Sequence, residues 1–583
     1  MARIWRNLYL APSEGSRGVG KSDRSALAPP DSQSWGEKMR KLLLAIACMS
    51  LWGSVASAQN IYIAQNTAGA DSGSDCTDAH SAAWFNSAAN WGSGAAQIGA
   101  ATVVHLCGTF TGTANSTMLT TRGNGITIHF ETGALLQSPA WGQNGAISVP
   151  NNSVTIDGGT NGTIENTLNG TQGGACLGGP CSVEQASVGV VVTGSNDTVE
   201  NLTITHIGVH TFGVNDPGAI LEATSAIQLD GSSDIATQNT IDNVASGIGG
   251  SNGSEISYNT ITFANHAIAV GIVSGTWTGI KIHNNDVSQL YNWDEPDNNY
   301  HHNGIMLFST QSGVISGIQI YYNYLHGLWS NDSVYGDTHV TAWVFLDTNG
   351  IPNSIPNAMI FRNVFEADAG SYNYPADGYV GLNGCLVSTG CTPANASLLA
   401  NNTVVGNGRC WSIGDASNAP SSLNNLCATT SGATLSTPST MPYPTAQIDY
   451  NMYAGVGTVN AFGLPCANGS CNINTYTAWS SSPHSLDVHG SNPTRAAVAL
   501  TSSNQLGSGS VAIGKAKNLT SAYCTEIPAL CVGAPSIFGV AGAGAGGGTP
   551  ASTTGAWDAG AYPSGSSVAT QPSAPTGLTA VVN

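Results

Sequence analysis

The chain has 583 residues, of which 72 are glycine and only 8% are charged, and its formal net charge is −19. This composition, with 41% apolar residues and no convincing long helical pattern after residue 60, favours an all-β body with many turns. So acidic a chain should repel nucleic acid and anionic membrane surfaces, which excludes them as partners.

Residues 1–58 are predicted to be an upstream extension followed by a secretory signal peptide. A basic start at 39–41 precedes an apolar run at 42–55 and a small-residue cleavage site at 56–58. The apolar run is too short to span a membrane, so we expect no transmembrane span in the mature chain. Removing this region leaves seven basic and 30 acidic residues, a net charge of −23. We therefore expect a secreted, extracellular protein, with the periplasm or the cell surface as alternatives.

The cysteines predict local disulfides. One of the 13 cysteines lies in the signal peptide, and the remaining even number suits an oxidising compartment. Their spacings do not resemble zinc sites. The predicted pairs are Cys76/Cys107, Cys176/Cys181, Cys385/Cys391, Cys410/Cys427, Cys466/Cys471 and Cys524/Cys531.

Residues 59–150 are predicted to form an N-terminal cap and the first coils of a solenoid. A first strand is expected at 61–66 and a short helix around Trp84 and Trp91. Such a cap is needed because the bare end of a solenoid exposes apolar core and unpaired strand edges.

Residues 151–460 are predicted to be the regular body, because an Asn followed by an aliphatic residue recurs at intervals of 20–40 residues. Each copy alternates apolar and polar residues as a strand does. A period of about 20–26 residues suits one coil, and a longer step indicates a coil with a long loop. Stacked coils would pair their strands in parallel ~4.8 Å apart, and the Asn side chains would form a ladder. The Asn residues are Asn201, Asn239, Asn259, Asn285, Asn323, Asn363 and Asn402, with weaker copies at Asn425 and Asn451.

The chain beyond the body is looser in pattern. Residues 461–565 are predicted to contain C-terminal coils and a closing strand at 555–563. Residues 566–583 are predicted to be a linker, and Pro572 to Ala580 resembles the opening strand of a fibronectin type III domain.

The Asn repeat and the coil length resemble those of the right-handed parallel β-helix proteins of the pectate-lyase-like superfamily, over roughly residues 100–460. The segment Tyr-His-His-Asn-Gly-Ile at 300–305 is similar to one in secreted bacterial β-helix repeat proteins. The resemblance implies an all-β, right-handed parallel β-helix (solenoid) and relatives that are largely polysaccharide lyases and glycoside hydrolases. The characteristic polygalacturonase segments are absent, so we transfer no catalytic residue from that subfamily.

The candidate site is the segment 291–305, a long loop rich in acids, histidines and aromatic residues. If the strands at 267–270, 304–308, 342–346 and 378–382 stack, the residues just ahead of each strand share one edge of the solenoid. Acids on adjacent or alternate coils would then supply the carboxylate separations of about 5 Å or 6.5–9.5 Å used by retaining and inverting glycosidases. We expect Asp294, Asp297, Asp337 and His302 to be catalytic, and Trp293, Glu295, Tyr300, His301, His339 and Asp377 to bind substrate.

Three functions remain open on the sequence alone. The first is a glycoside hydrolase that cleaves a polysaccharide, because few basic residues lie near this segment to serve a lyase. The second is a polysaccharide lyase that uses Ca²⁺ for β-elimination; no cofactor is firmly required, and Ca²⁺ is the alternative. The third is a non-catalytic surface or adhesin protein. The sequence leaves the sugar, the metal ligands and the oligomeric state open.

Overall fold

The computed structural model describes residues 59–564 with internal gaps. These gaps are residues 170–174, 177–178, 181–184, 209–222, 293–302, 332–341, 348–353, 368–379, 383–396, 407–409, 414–420, 430–434, 437–447, 456–461, 467–468, 474, 482–484, 537 and 540–550.

Two long sheets contain all but two of the described strands, and the first has 14 strands, all paired in parallel. In spatial order they are β2 (His80–Ser81), β1 (Asn60–Ala64), β3 (Val103–Leu106), β6 (Thr127–Phe130), β9 (Thr155–Asp157), β14 (Thr198–Glu200), β17 (Ile235–Thr237), β19 (Glu255–Ser257), β21 (Lys281–His283), β24 (Gln319–Tyr321), β27 (Met359–Phe361), β30 (Leu398–Ala400), β33 (Ser421–Leu423) and β36 (Ile448–Asp449).

The second sheet has 23 strands arranged in two arms. The first arm contains β4 (Thr109–Thr111), β7 (Leu135–Ser138), β10 (Thr163–Asn166), β15 (Thr203–Thr205), β18 (Thr240–Gly250), β20 (Thr260–Thr278), β22 (Asp286–Asn292), β25 (Tyr324–Asn331), β28 (Val364–Ala367), β31 (Thr403–Gly406), β34 (Leu426–Thr429) and β37 (Met452–Tyr453).

The second arm also includes the later halves of β18 and β20. Its own strands are β5 (Leu119–Thr120), β8 (Ile147–Val149), β13 (Val188–Val192), β16 (Ser225–Leu229), β23 (Asn303–Ser316), β26 (Ala342–Asp347), β29 (Val380–Leu382), β32 (Trp411–Ile413), β35 (Leu435–Ser436), β38 (Phe462–Cys466) and β39 (Gly469–Ile473). A separate hairpin joins β11 (Ala175–Cys176) to β12 (Gly179–Pro180).

The chain repeats one path through these strands. It leaves the first sheet at β14, passes through β15 and β16 of the two arms, and returns to the first sheet at β17, next to β14. We call one such circuit a coil. Among the described strand pairs, only β11/β12 and β38/β39 are antiparallel. This path confirms the predicted mostly-β architecture of consecutive parallel strands.

The core lies inside the coils, because alternate residues of each short strand point inward. On the first sheet, Ile128, Ile156, Val199, Ala236 and Ile256 lie directly opposite one another on successive strands, and all are buried. Burial of a Val or Ile side chain contributes roughly 1.5–3 kcal/mol. The predicted period-2 alternation therefore marks the inward face of every coil.

The predicted Asn ladder is present from Asn239 onward. In each member the side-chain Nδ2 donates to Oδ1 of the next at 2.9–3.0 Å, and the backbone N–H donates to the same oxygen. The ladder ends on the buried carboxylate of Asp487, which accepts from Nδ2 and the backbone N–H of Asn451. Its members are Asn239, Asn259, Asn285, Asn323, Asn363, Asn402, Asn425 and Asn451.

The prediction was wrong for Asn201, which lies one residue ahead of the ladder. Its φ is +58°, in the left-handed region, and its equivalents in the next two coils are Gln238 and Tyr258. Leu202 takes the ladder position, and its N–H donates to Oδ1 of Asn239 at 3.1 Å. In the true members the inward-facing residue of the next strand comes two positions after the Asn, as Ile241 does after Asn239, whereas its counterpart Ile204 comes three positions after Asn201.

The N-terminal helix predicted around Trp84 is present as α1 (Ala82–Asn86), and a 3₁₀ turn, Ala88–Asn90, precedes Trp91. Ser81 caps α1 by accepting from the N–H of Trp84. Phe85 is fully buried in the core, so α1 packs onto the first coils.

Residues 485–564, which we call the C-terminal segment, lie mostly outside regular structure. Short helices occur at α2 (Tyr476–Ser480), just ahead of it, and within it at α3 (Arg495–Val498) and α4 (Thr520–Tyr523). The segment covers apolar residues on the outer side of the last coils, among them Phe361, Ala400 and Leu423.

The predicted closing strand at 555–563 is wrong, since this stretch contributes one isolated antiparallel bridge, between Trp557 and Ala516. Two of its other N–H groups bind the turn between the first sheet and the first arm, where the ladder lies and which we call the corner. The N–H of Gly560 donates to the carbonyl of Asn424, and the N–H of Ala561 donates to Oγ1 of Thr403.

Three predicted disulfides are confirmed: Cys76–Cys107, Cys410–Cys427 and Cys524–Cys531. The other three predicted pairs involve side chains outside the described residues. Within the described ranges, no helix has the length and apolar character needed to cross a membrane.

Candidate functional site

The predicted loop residues all lie outside the described residues. They fall in the gaps 293–302, 332–341 and 368–379, and they are Trp293, Asp294, Glu295, Asp297, Tyr300, His301, His302, Asp337, His339 and Asp377.

The strand ends on either side of two of these gaps are described, and they stack. Asn292 lies opposite Asn331 where β22 and β25 end, and Asn303 lies opposite Ala342 where β23 and β26 begin. The N–H of Ala342 also donates to Oδ1 of Asn303 at 2.9 Å. The two stretches that carry the predicted acids are therefore attached at equivalent points of neighbouring coils.

The predicted stacking of these strands has the right order, but its register is shifted by one residue between β23 and β26. Ile305 lies opposite Val344, which in turn lies opposite Val380. The alignment instead places Ile305 opposite Trp343. The slip matters because successive residues of a strand point to opposite faces.

A row of polar side chains that the sequence analysis missed is fully described on the first sheet. His105, His129, Asp157 and Glu200 occupy the same outward position on β3, β6, β9 and β14, and each lies directly opposite the next. We call these four residues the polar row. The sequence carries a signal for this row. Each of its members is the third residue of a strand that begins Val-Val-His, Thr-Ile-His, Thr-Ile-Asp or Thr-Val-Glu.

Asp157 is held in place by three donors. Asn201 Nδ2 and the N–H of Gly159 both donate to Oδ1 at 2.9 Å, and His129 Nδ1 lies 2.8 Å from Oδ2. Burial alone would raise the pKa of Asp157, but these hydrogen bonds outweigh it and keep the pKa below its ordinary value. The side chain is still 23% exposed. Asp157 is therefore an ionised carboxylate that solvent can reach.

Glu200, on the next strand, has the opposite character. Burial raises its pKa, and the negative charge of Asp157 raises it further. Among the described residues, none donates a hydrogen bond to its carboxyl group. Two neighbouring carboxyl groups whose pKa values are pushed apart are the arrangement that assigns one as acid and the other as base or nucleophile.

Aromatic rings extend the polar row toward the N-terminus. Tyr62 stacks on His105 with ring centroids 4.4 Å apart, and His105 Nδ1 lies 2.6 Å from a carboxylate oxygen of Glu131. Because the rings stack on each other, they turn edges rather than faces outward. They therefore supply hydrogen-bonding groups rather than a flat platform for a sugar ring.

A second polar cluster lies on the first arm of the second sheet. His326 Nε2 is 2.7 Å from Oδ1 of Asp286 on the preceding coil, and the hydroxyl of Tyr324 donates to Glu366 on the following coil at 2.5 Å. The rings of Tyr324 and His326 stack at 3.9 Å. Burial, and then Glu366, raise the pKa of Tyr324, so this phenol stays protonated.

No group of three or more His, Cys, Asp and Glu side chains in the described part of the chain is arranged to hold a metal ion. The Ca²⁺ alternative stays a prediction.

No protein-family model matches this chain. No curated protein matches it either.

Proposed function

We propose that the mature chain is a secreted right-handed parallel β-helix of the pectate-lyase-like kind and acts as a glycoside hydrolase on a polysaccharide. The observation that carries the proposal is the Asp157–Glu200 pair, which lies on neighbouring strands with pKa values displaced in opposite directions. The stacked strands, the confirmed disulfides and the acidity of the chain support it.

The chemistry follows from the two protonation states. Glu200 gives its proton to the glycosidic oxygen as the bond to the leaving sugar breaks, and ionised Asp157 attacks the anomeric carbon. Glu200 then removes a proton from water, which displaces Asp157 and completes hydrolysis. Neighbouring strands lie ~4.8 Å apart, close to the 5–5.5 Å that retaining enzymes use, so we propose retention of configuration. His129 positions Asp157.

The loop acids Asp294, Asp297 and Asp337 remain a prediction for the same reaction at another place on the coils. The described residues that flank the two stretches support it, because Asn292 lies opposite Asn331 and Asn303 lies opposite Ala342 on neighbouring coils.

A polysaccharide lyase is the second candidate, and the Asp286–His326 and Tyr324–Glu366 pairs favour it. A His oriented by a carboxylate can act as base, and a protonated Tyr can act as acid, in a β-elimination. The two flanking carboxylates would repel a uronic acid, so this function needs a cation such as Ca²⁺ at the substrate.

The test incubates the mature chain, residues 59–583, with neutral and uronic polysaccharides, with and without a chelator. Reducing ends and the ultraviolet absorbance of unsaturated products are followed together. New reducing ends without absorbance are the expected result. Reducing ends with absorbance would establish a lyase, and no product from any glycan would favour the non-catalytic surface protein.

A further inference from the structure

A cavity of about 370 Å³ lies where the C-terminal segment meets the corner of the coils, far along the chain from the polar row. Its volume is at the small end of the roughly 300–1,000 Å³ typical of ligand pockets. The lining residues that matter are Arg362, Trp557, Asp558, Gly514, Ser552 and Ala556.

Arg362 is the unusual member, because its side chain is charged and fully buried. Nε donates to the carbonyl of Leu530 at 3.0 Å, and Nη1 donates to the carbonyls of Gly560 and Ala561 at 3.1 Å. Nη2 has no acceptor among the described residues. Burial lowers the pKa of Arg362 to about 10, so the guanidinium remains charged at neutral pH. One oriented donor is therefore left over at the cavity wall.

Asp558 supplies acceptors to the same cavity. Its Oδ1 accepts from the N–H of Gly514 at 2.6 Å, and its Oδ2 accepts from the N–H of Ser564. Each carboxylate oxygen has a second lone pair, so both can accept from a ligand hydroxyl. The indole of Trp557 lies under the guanidinium, 5.3 Å from ring centroid to Cζ, and gives the cavity an apolar wall.

We propose that this cavity is a binding site for a neutral sugar unit, a monosaccharide or a disaccharide. Adjacent sugar hydroxyls both donate and accept hydrogen bonds. The cavity offers a partner for each, because the Asp558 carboxylate can accept and the Arg362 guanidinium can donate, beside the ring of Trp557. The charges of Arg362 and Asp558 offset each other, so neither an anion nor a cation gains from the site. The site is separate from the polar row and stands whether or not the chain cleaves glycans.

Binding would also stabilise the attachment of the C-terminal segment. The guanidinium that meets the ligand is the group that binds the carbonyls of Leu530, Gly560 and Ala561. A sugar bound there adds its own free energy to this junction.

The test is isothermal titration of the mature chain carrying Glu200→Gln, which removes the proposed hydrolysis. The probes are glucose, galactose, mannose, xylose and β-linked disaccharides of each, with inorganic phosphate and glucuronate as anions. Ala556→Phe fills the cavity from an exposed position. Thr554→Phe is the matched control, since Thr554 is exposed on the same stretch and does not line the cavity.

We expect at least one neutral sugar to bind the parent and the Thr554→Phe protein, with affinity at least tenfold weaker for Ala556→Phe. Asp558→Asn should weaken the same sugar. Binding undiminished by Ala556→Phe, binding only of phosphate or glucuronate, or no binding of any sugar would each overturn the proposal. Cleavage of polysaccharide by the Ala556→Phe variant with Glu200 intact reports on the hydrolase proposal alone.

Discussion

Asp157 and Glu200 occupy matching positions on neighbouring strands, yet their surroundings differ in one respect that sets their chemistry. Asp157 accepts hydrogen bonds from Asn201, Gly159 and His129, whereas Glu200 has no such donor among the described residues. Hydrogen bonds to the charged form lower a carboxyl pKa, and burial without them raises it. The two carboxyl groups therefore differ in protonation because of their hydrogen-bond donors, although they occupy equivalent positions on their strands.

The pH dependence of hydrolysis should follow from this pair. Activity needs Asp157 ionised and Glu200 protonated, so the rate should fall below the lowered pKa of Asp157 and above the raised pKa of Glu200. Asn201→Gly removes one donor while suiting the left-handed backbone at this position. The acid limb of the kcat/KM profile should then move to higher pH.

Gln238→Gly is the control for this shift, because Gln238 holds the same left-handed position one coil later and does not contact Asp157. An acid limb that stays in place in Asn201→Gly, or moves equally in Gln238→Gly, would count against Asp157 as the ionised partner.

The polar row also has a signal in the sequence alone. Once β9 and β14 are identified as neighbours, their alternation places Asp157 and Glu200 in one outward column, so the polar row was predictable in principle. The direction of each pKa was not, because it depends on Asn201, whose side chain reaches a carboxylate on the preceding coil.

At the scale of elements, the Asn ladder links each corner to the next. Every member before Asn451 donates to the following Asn, and every member also donates to a backbone carbonyl, as Asn323 Nδ2 does to that of Ile282 at 2.9 Å. Residues ahead of it hold a left-handed backbone that costs L-residues roughly 1–2 kcal/mol. The ladder offsets that cost at each corner.

Asn323→Ala should therefore lower the free energy of unfolding by about 2–4 kcal/mol, because it leaves buried N–H and carbonyl groups without partners. Urea unfolding measures the change. Asn161→Gly, an exposed Asn with φ +62° outside the ladder, is the control and should change stability by less than about 1 kcal/mol. An equal loss of unfolding free energy in both variants would show that the ladder hydrogen bonds do not stabilise the fold.

The ladder ends in Asp487, whose carboxylate also accepts from the hydroxyl of Tyr453 at 2.5 Å. Complete burial raises the pKa of Asp487 to about 7. The acid form is thus favoured in the folded protein, and the stability it provides is lost as pH rises through that value.

We expect the free energy of unfolding of the wild-type protein to fall between about pH 4 and pH 7, from the ordinary pKa of 3.8 to the raised value of about 7, and to fall less steeply in Asp487→Asn. The dependence should not vanish, because burial also raises the pKa of Asp197 to about 7 and that of Asp234 to about 6. Asp75→Asn, at an exposed turn, is the control. A slope in Asp487→Asn as steep as in the wild type would contradict the assignment.

The ladder was predictable from its spacing, and the single error has a physical cause. Asn tolerates the left-handed corner position as well as the ladder position that follows it. Both are Asn at 284–285, 401–402 and 424–425, so an isolated Asn such as Asn201 can belong to either. The two cases differ in the distance from the Asn to the inward-facing residue of the next strand, which is two positions for a ladder Asn and three for Asn201.

In the whole molecule, the C-terminal segment binds the corners of the last coils. Its contacts do not repeat from one coil to the next. Tyr322 donates through its hydroxyl to the carbonyl of Ala529 at 2.5 Å, and Asn424 exchanges hydrogen bonds with the backbone of Lys517. Side-chain contacts to an irregular backbone leave no repeating pattern. The sequence therefore predicted the coils and missed the path of this segment.

Arg362→Met should loosen this attachment, because it removes three hydrogen bonds while roughly keeping the length of the side chain. We expect limited proteolysis to cut within residues 516–564 at least tenfold faster in the variant, with the coils left intact. Lys281→Met, at an exposed position on β21, is the control. Equal cleavage rates for the variant and the wild type would show that Arg362 does not hold the segment.

The Asp157–Glu200 pair is the proposed site of glycan hydrolysis. The most direct measurement compares kcat/KM of Glu200→Gln and Asp157→Asn with that of the wild type on whichever polysaccharide the wild type cleaves. Circular dichroism confirms that each variant folds. Asp294→Asn, Asp297→Asn and Asp337→Asn are assayed beside them.

We predict that each polar-row variant loses at least about a hundredfold in kcat/KM, as expected when an acid or base is removed. The three loop variants should each retain most of the activity. Full activity in Glu200→Gln and Asp157→Asn, with loss in the loop variants, would contradict the claim and place the reaction at the predicted loop site.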